Sequence, residues 1–190
     1  VLFRSDYIKS VGGKVVMTSD KHDRATDRTA EAMLKIEDET GEEFDIVVMV
    51  QGDEPMVTPE MISDAVKPFE GNDEINVVNL MAEIDTESEF EDPNEVKVVV
   101  GLNNDAIYFS REPIPSRKKY DAEISMLKQV CIIPFKRDFL LQFNETPETS
   151  LERIESVDMM RIIETGGRVR MVMTKDQTWS VDTIDDLKNV

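Results

Sequence analysis

The stretch Asp45-Ile-Val-Val-Met-Val-Gln-Gly-Asp-Glu-Pro55 decides the fold class. Its apolar run, Ile46–Val50, is short and rich in β-branched residues, and no polar residue alternates through it. That pattern suits a parallel strand covered on both faces by helices, so a central strand is expected. The strand leads directly into an amide, a turn glycine and two carboxylates, Gln51-Gly52-Asp53-Glu54. Ligands of open α/β sheets bind at the carboxyl ends of strands. A carboxylate there is well placed to hold Mg²⁺, which takes few carboxylate ligands, several waters and substrate phosphates. An acidic strand-to-helix loop with a turn glycine fits the same residues.

Working outward, Asp6-Tyr-Ile-Lys-Ser-Val11 predicts a helix stopped by Gly12-Gly13, and Lys14-Val-Val-Met-Thr18 predicts a short strand. A polar connection over residues 19–26 leads to a helix capped by Thr26 or Asp27, with Ala30, Met33, Leu34 and Ile36 as its apolar stripe. Residues 37–43 form an acidic loop before the first stretch. Beyond it, Thr58-Pro59 supplies an N-cap and a proline at the first helical position, and the helix should stop before Pro68. Residues 75–84 are a second β-rich segment, and residues 85–92 can hold a helical turn. Residues 96–102 and 106–110 flank Asn103-Asn104-Asp105 as a hairpin. Residues 111–123 are charged and carry Pro113 and Pro115, an excursion from the sheet, followed by a strand over 128–135 and a short helix over 137–143. Thr149-Ser-Leu-Glu152 has capping-box spacing, and Leu151, Ile154, Met159 and Ile162 predict one helix running to Gly166-Gly167. Residues 168–174 alternate as a strand does, and Thr183-Ile-Asp-Asp186 repeats the capping-box spacing before a last helix. The sum is one α/β domain over residues 1–190: a mostly parallel, doubly wound, Rossmann-like sheet with an antiparallel excursion protruding over about residues 106–127.

Composition narrows the chemistry. A formal charge of −18, from 40 acidic and 22 basic residues, would repel a nucleic acid or an anionic membrane surface. Anionic small substrates would need a metal or local arginines. Cys131 is the only cysteine and lies in an apolar run, so no internal disulfide forms and a reducing, cytoplasmic setting is expected. The single histidine, His22, cannot build a histidine metal cluster, and no elbow motif supports a Ser/His/Asp triad around it. No apolar run reaches the length of a membrane span and no signal peptide is evident. The chain begins without Met, inside an expected helix, which suggests an upstream segment or a removed leader.

Several segments, in order along nearly the whole chain, resemble the 3-deoxy-manno-octulosonate (Kdo) cytidylyltransferases, which make CMP-Kdo for bacterial lipopolysaccharide. They are Met17-Thr18 with His22 and Thr26-Asp27-Arg28, Val50-Gln-Gly-Asp-Glu-Pro-Met56, Asp92-Pro-Asn-Glu-Val-Lys-Val-Val99, Tyr108-Phe-Ser-Arg111 with Pro113-Ile-Pro115, Leu151-Glu152 with Ile154-Glu155, and Val181-Asp-Thr183 with Asp186-Leu187. The resemblance implies transfer of CMP from CTP to the sugar, with Mg²⁺ held by Asp53 and Asp182. It puts Gln51 and Arg111 against the sugar and the segment from His22 to Arg28, with Arg24, Ala25, Thr26 and Arg28, near the nucleotide. It also implies a homodimer built on the loop from Arg111 to about Ser125. Family members start with a strand and a basic, glycine-containing loop that grips the triphosphate. By this resemblance the chain starts after that loop and would be inactive by itself.

The chain departs from the family pattern at three places. Arg24-Ala25 stands where a Ser-Gly pair is usual, Gln129 where a sugar-contacting histidine is expected, and Asp158-Met159 where a Glu-Gln pair would meet the sugar. Gln129 and Asp158 are therefore taken as sugar contacts. The metal positions are unchanged, which suggests the same chemistry with either Kdo or another acid sugar, sialic-acid-like, as substrate. Packing replacements would also account for Gln129 and Met159. A non-catalytic nucleotide- or sugar-binding module is the alternative from a different class. Taken alone, Asp182 fits a turn and cap, and Arg111 a surface charge at a strand end.

Overall fold

The computed structural model of the protein describes residues 2–119, 125–176, 178–181, 183–184 and 186–188. Helix α1 (Leu2–Ser10) ends where expected: Gly12 takes φ 83°, and the Gly13 N–H donates to the Ile8 carbonyl at 2.9 Å. Residues 14–18 then run without a ladder partner, a correction to the expected strand. They are held from helix α2 (Ala25–Thr40) instead, by Lys35 Nζ on the Met17 carbonyl and Arg28 Nη1 on Thr18 Oγ1, both at 2.8 Å. None of these residues is buried: Val15, Val16 and Thr18 are half-buried and Met17 is 50% exposed, so the short apolar run did not report a covered strand here. Helix α2 starts at Ala25 with no side-chain cap from Arg24, and runs to Gly41, whose φ of 72° ends it. Residues 37–40 thus belong to its last turn and not to a loop.

Strand β1 (Ile46–Val50) and helix α3 (Pro59–Val66) have the expected bounds, with Thr58 Oγ1 accepting from the Met61 N–H at 3.2 Å. Then come β2 (Val78–Glu83), α4 (Glu87–Glu91), β3 (Lys97–Val100) and β4 (Ala106–Ser110). The β3–β4 hairpin turns at Asn104, φ 60°, as its sequence demands. The remaining elements are β5 (Leu127–Val130), β6 (Ile132–Lys136), α5 (Arg137–Glu145), α6 (Ser150–Glu155), α7 (Met159–Glu164) and β7 (Arg170–Met173). Residues 186–188 form a 3-10 turn whose reciprocal bonds between Thr183 and Asp186 keep the predicted capping box.

Two expectations change here. The single helix from Leu151 to Gly166 is two, α6 and α7, because Ser156 takes a left-handed φ of 53° and turns the chain. Leu151, Met159 and Ile162 of the expected stripe still meet in one apolar cluster, but Ile154 is 73% exposed, a correction to its place in the stripe. The sheet is also mixed, not predominantly parallel. β1, β2, β3 and β7 point one way, but among the described residues only β2 and β7 are parallel neighbours. Between the others runs β5–β6, one strand bent at Cys131, antiparallel to β1, β2 and β3. That bent strand holds the middle, while β1 pairs only with β6 among the described residues and its Val50 is 38% exposed. An uninterrupted apolar run says that a strand is covered; it carries no information on the direction of its neighbours.

Residues alternate in allegiance along these strands. On β2, Met81 joins the cluster with Phe135, Phe143, Met159 and Ile162, beneath α5 and α7. Leu80 and Ala82 join Met61 and Ala65 beneath α3. Helices therefore cover both faces, as a doubly wound α/β sheet requires. β4 belongs to the sheet, so the excursion starts at Arg111 and not at residue 106. It is tied back by Arg117, which pairs with Glu87 and lies 4.1 Å over the Phe90 ring; residues 120–124 are outside the described residues.

Candidate active site

The bend at Cys131 creates the site. Leu80 faces Val130 while Val77 faces Phe135, so the bent strand advances five residues where β2 advances three. Such a bulge frees backbone groups that must find partners. The Cys131 N–H donates to Glu54 Oε1 at 2.6 Å, and its carbonyl accepts from the Gln51 N–H at 3.1 Å. The Val130 carbonyl accepts from Asn79 Nδ2 at 2.7 Å. The loop after β1 is thus clamped onto the bulge through both its ends. β1 and β3 lie one after the other along the same edge of the bent strand, and the Gln129 N–H donates to the Val96 carbonyl at 2.8 Å. Where β1 has ended and β3 has not begun, the sheet edge splits open into a cavity of about 260 Å³.

Gln51, Asp53, Arg111, Gln129, Asp158, Arg24 and Ala25 all line this cavity, so the fold gathers these expected site residues from across the chain. Thr26 stands just behind the wall, its hydroxyl donating to Asp158 Oδ2 at 3.2 Å. Arg28 does not reach the cavity: it donates to Thr18 Oγ1 and to the Ser19 and His22 carbonyls, and so shapes the loop before α2. His22 is turned away as well, paired with Glu31. Asp182 lies outside the described residues; its neighbour Val181 donates its N–H to the Asp53 carbonyl at 2.9 Å.

The cavity is acidic. Asp23, Asp53, Glu54, Glu95 and Asp158 line it against Arg24 and Arg111. Asp53 Oδ1 is buried with no hydrogen-bond partner among the described residues, which suits an oxygen directed at a cation and not at a neighbouring side chain. Burial pushes the Glu54 carboxyl up, against the opposing Cys131 N–H. Burial also raises Glu95, with Lys128 working the other way. Asp158 is likewise raised by burial, offset in part by Arg24, whose Nη1 is 3.3 Å from Oδ1.

Arg111 has two roles in the geometry. Its Nε donates to the Glu155 carbonyl and its Nη1 to the Pro93 carbonyl, both at 2.8 Å, so it bridges the turn before β3 and the α6–α7 break while edging the cavity. Glu155 repays the contact by accepting from the Arg111 N–H at 2.9 Å and from the hydroxyls of Tyr108 and Ser110. The break at Ser156 is what brings Ser156, Val157 and Asp158 to the wall.

Three residues that motif spacing did not single out hold the walls. Lys97 is fully buried, and its ammonium donates to the carbonyls of Asp92, Glu95 and Arg111 at 2.7, 2.7 and 2.6 Å, tying two cavity-lining segments together. Burial pulls its pKa down. Lys128 joins Glu89, Glu95 and the Thr178 carbonyl, anchoring residues 178–181 beside the sheet. Asn79, also fully buried, fills the bulge. The available signal was a polar residue inside an apolar strand, as in Val96-Lys-Val-Val-Val100 and Val77-Val-Asn-Leu-Met81.

Comparison with known proteins identifies the family. A family model described as cytidylyltransferase matches residues 3–174. The 3-deoxy-manno-octulosonate cytidylyltransferases of Trichlorobacter lovleyi and Geobacter sulfurreducens are each 38% identical to the chain, over 96% of it and 74% and 75% of their own lengths. A solved CMP:2-keto-3-deoxy-manno-octonic acid synthetase complexed with CTP superposes with a TM-score of 0.84 at 33% identity, covering 97% of this chain and 73% of that one. A glucose-1-phosphate thymidylyltransferase from Bacillus anthracis, 18% identical with a TM-score of 0.63, shares the fold. With the family model matching residues 3–174 and the likeness to these relatives running almost end to end, the chain belongs to the 3-deoxy-manno-octulosonate cytidylyltransferase family.

Proposed function

We propose that the protein transfers CMP from CTP to the anomeric hydroxyl of 3-deoxy-manno-octulosonate, releasing pyrophosphate, for lipopolysaccharide assembly in the cytoplasm. The observation that carries this is the cavity at the split sheet edge, which Asp53, its Oδ1 without a hydrogen-bond partner among the described residues, lines together with Arg24 and Arg111 in an otherwise acidic wall. Relatives named for this reaction support the assignment of substrates. An anionic nucleotide and an anionic sugar meeting among five carboxylates need a cation. Asp53 and Asp182 would hold Mg²⁺, which when bound supplies positive charge to the phosphate oxygens. Gln51 and Arg111 orient the sugar, and the start of α2, with Arg24 and Ala25, closes the nucleotide side.

A related acid sugar is the second reading. The Arg24–Asp158 ion pair favours it, because it joins two positions at which the chain differs from the family pattern and reshapes the wall they share. A panel of acid sugars assayed with the full gene product separates the two.

Pyrophosphate should appear from CTP only when Kdo and Mg²⁺ are both present. Asp53→Asn should cut turnover by roughly three orders of magnitude or more with the fold intact by circular dichroism. Pyrophosphate release that needs no sugar, or undiminished turnover in Asp53→Asn, would overturn the assignment.

A further inference from the structure

The bulge at Cys131 does more than open the cavity, because it fixes the orientation of a side-chain amide that lines it. Both Nδ2 protons of Asn79 are committed to main-chain carbonyls, Val130 at 2.7 Å and Leu80 at 2.9 Å. A carbonyl only accepts, so the group directed at these two atoms must be the NH₂, and Asn79 Oδ1 must point the other way. Its partner there is the side chain of Gln129, which has to donate through Nε2. Gln129 is then left with its Oε1 and one Nε2 proton, with Oε1 fixed on the side away from Asn79, and Gln129 lines the cavity. Oε1 has no hydrogen-bond partner among the described residues and is not one of their buried unpaired atoms, so it remains available to a ligand.

We infer that Asn79 and Gln129 form an oriented amide relay that presents a fixed hydrogen-bond acceptor to the cavity, making the pair a specificity determinant for a sugar carrying a donor at that point. The inference rests on the cytidylyltransferase reading. Gln129 touches the sugar; Asn79 acts through it, as a positioning residue. An unrestrained glutamine amide can turn over and meet a donor or an acceptor. This one is held by an asparagine that is fully buried and itself has no rotational choice. A site built this way rejects a group lacking the required proton far more strongly than a merely apolar wall does.

The test uses the full gene product with CTP and Kdo analogues in which one hydroxyl at a time is replaced by an amine, which donates, or by fluorine, which does not. At one position the amine analogue should keep the sugar KM within about threefold while the fluoro analogue raises it at least about tenfold, with the KM for CTP unchanged. Gln129→Met should abolish that contrast. Asn79→Leu should weaken it, because the released amide can turn either way. Fluorine tolerated and amine refused, or a contrast that persists in Gln129→Met, overturns the relay. Loss of all sugar-dependent pyrophosphate release from unmodified Kdo would instead strike at the reaction itself. The orientation has its own readout without substrate: in ¹⁵N-labelled protein the Gln129 Nε2 proton donated to Asn79 should be protected from solvent exchange and show through-space contacts to Asn79. Free exchange of that proton would refute the inference whatever the enzyme's activity.

Discussion

Asp158 shows how much of this site is set by single side chains working against their surroundings. Its carboxylate is enclosed at the turn between α6 and α7 with Arg24 Nη1 at 3.3 Å and the Thr26 hydroxyl at 3.2 Å. Burial raises its pKa above the ordinary 3.8, Arg24 draws it back in part, and nearby Glu152 adds to the rise. The sign of the linkage follows. In the window from the unfolded value up to the raised folded value the native state binds more protons than the unfolded chain, so stability falls as pH increases through it. Asp158→Asn has no proton to lose. Measured by urea unfolding from pH 4 to 7, the difference in stability between variant and parent should therefore move in the variant's favour as pH rises. Parallel curves would show that burial does not govern this carboxyl. At this scale the sequence was informative about which residues gather, and silent about how they engage one another: nothing in Arg24 or Asp158, 134 positions apart, announced an ion pair. Arg28 fitted the nucleotide pattern equally well, yet its donors satisfy the loop at Ser19 and His22, because backbone carbonyls that leave a helix entry need partners too.

Among elements, the α6–α7 pair departs furthest from its sequence pattern. Leu151, Ile154, Met159 and Ile162 keep helical spacing through the break, and Ser156 gives no glycine or proline signal, so periodicity alone could only extend the helix. What stabilises the turn is electrostatic and lies elsewhere. Arg161 on α7 meets Glu152 on α6 through Nε at 2.7 Å and Nη2 at 2.5 Å. Its Nη1 donates to the carbonyls of Phe143 and Thr146 at the end of α5, and the guanidinium lies 4.3 Å over the Phe143 ring. Glu152 is fully buried, so removing its partner leaves a charge with neither water nor a counter-ion. Arg161→Met should cost roughly 3–5 kcal/mol in chemical unfolding. Adding Glu152→Leu to it should recover a large part of that loss, since the stranded charge is gone. A single variant as stable as the parent would mean that packing, and not this pair, holds the three helices together.

For the molecule as a whole, the α/β class and the presence of a cavity at the end of β1 were legible, because each follows from short apolar runs and from where turn residues interrupt them. The direction of neighbouring strands was not, since covered strands look alike in either orientation; the bend at Cys131, which makes the cavity, left no mark beyond one cysteine in an apolar run. Assembly is likewise a whole-molecule property. We propose a homodimer through the excursion that leaves the sheet at Arg111. Its Pro113, Pro115 and basic run Arg117-Lys118-Lys119 offer too little apolar material to form a core alone. Arg117 is already engaged with Glu87 and Glu91 of its own chain, so it contributes little charge to a partner. Two copies carrying −18 each must then approach against a long-range repulsion. Its range is the Debye length, about 30 Å at 0.01 M salt and about 8 Å at 0.15 M, so added salt removes most of the penalty while leaving short-range packing intact. Sedimentation of the full gene product at micromolar concentration should therefore show the dimer fraction rising from low to physiological salt. Association that weakens with salt would mean that the two lysines dock on acidic surface across the interface, and a monomer at both salt concentrations would remove the dimer while leaving the cavity and its chemistry untouched.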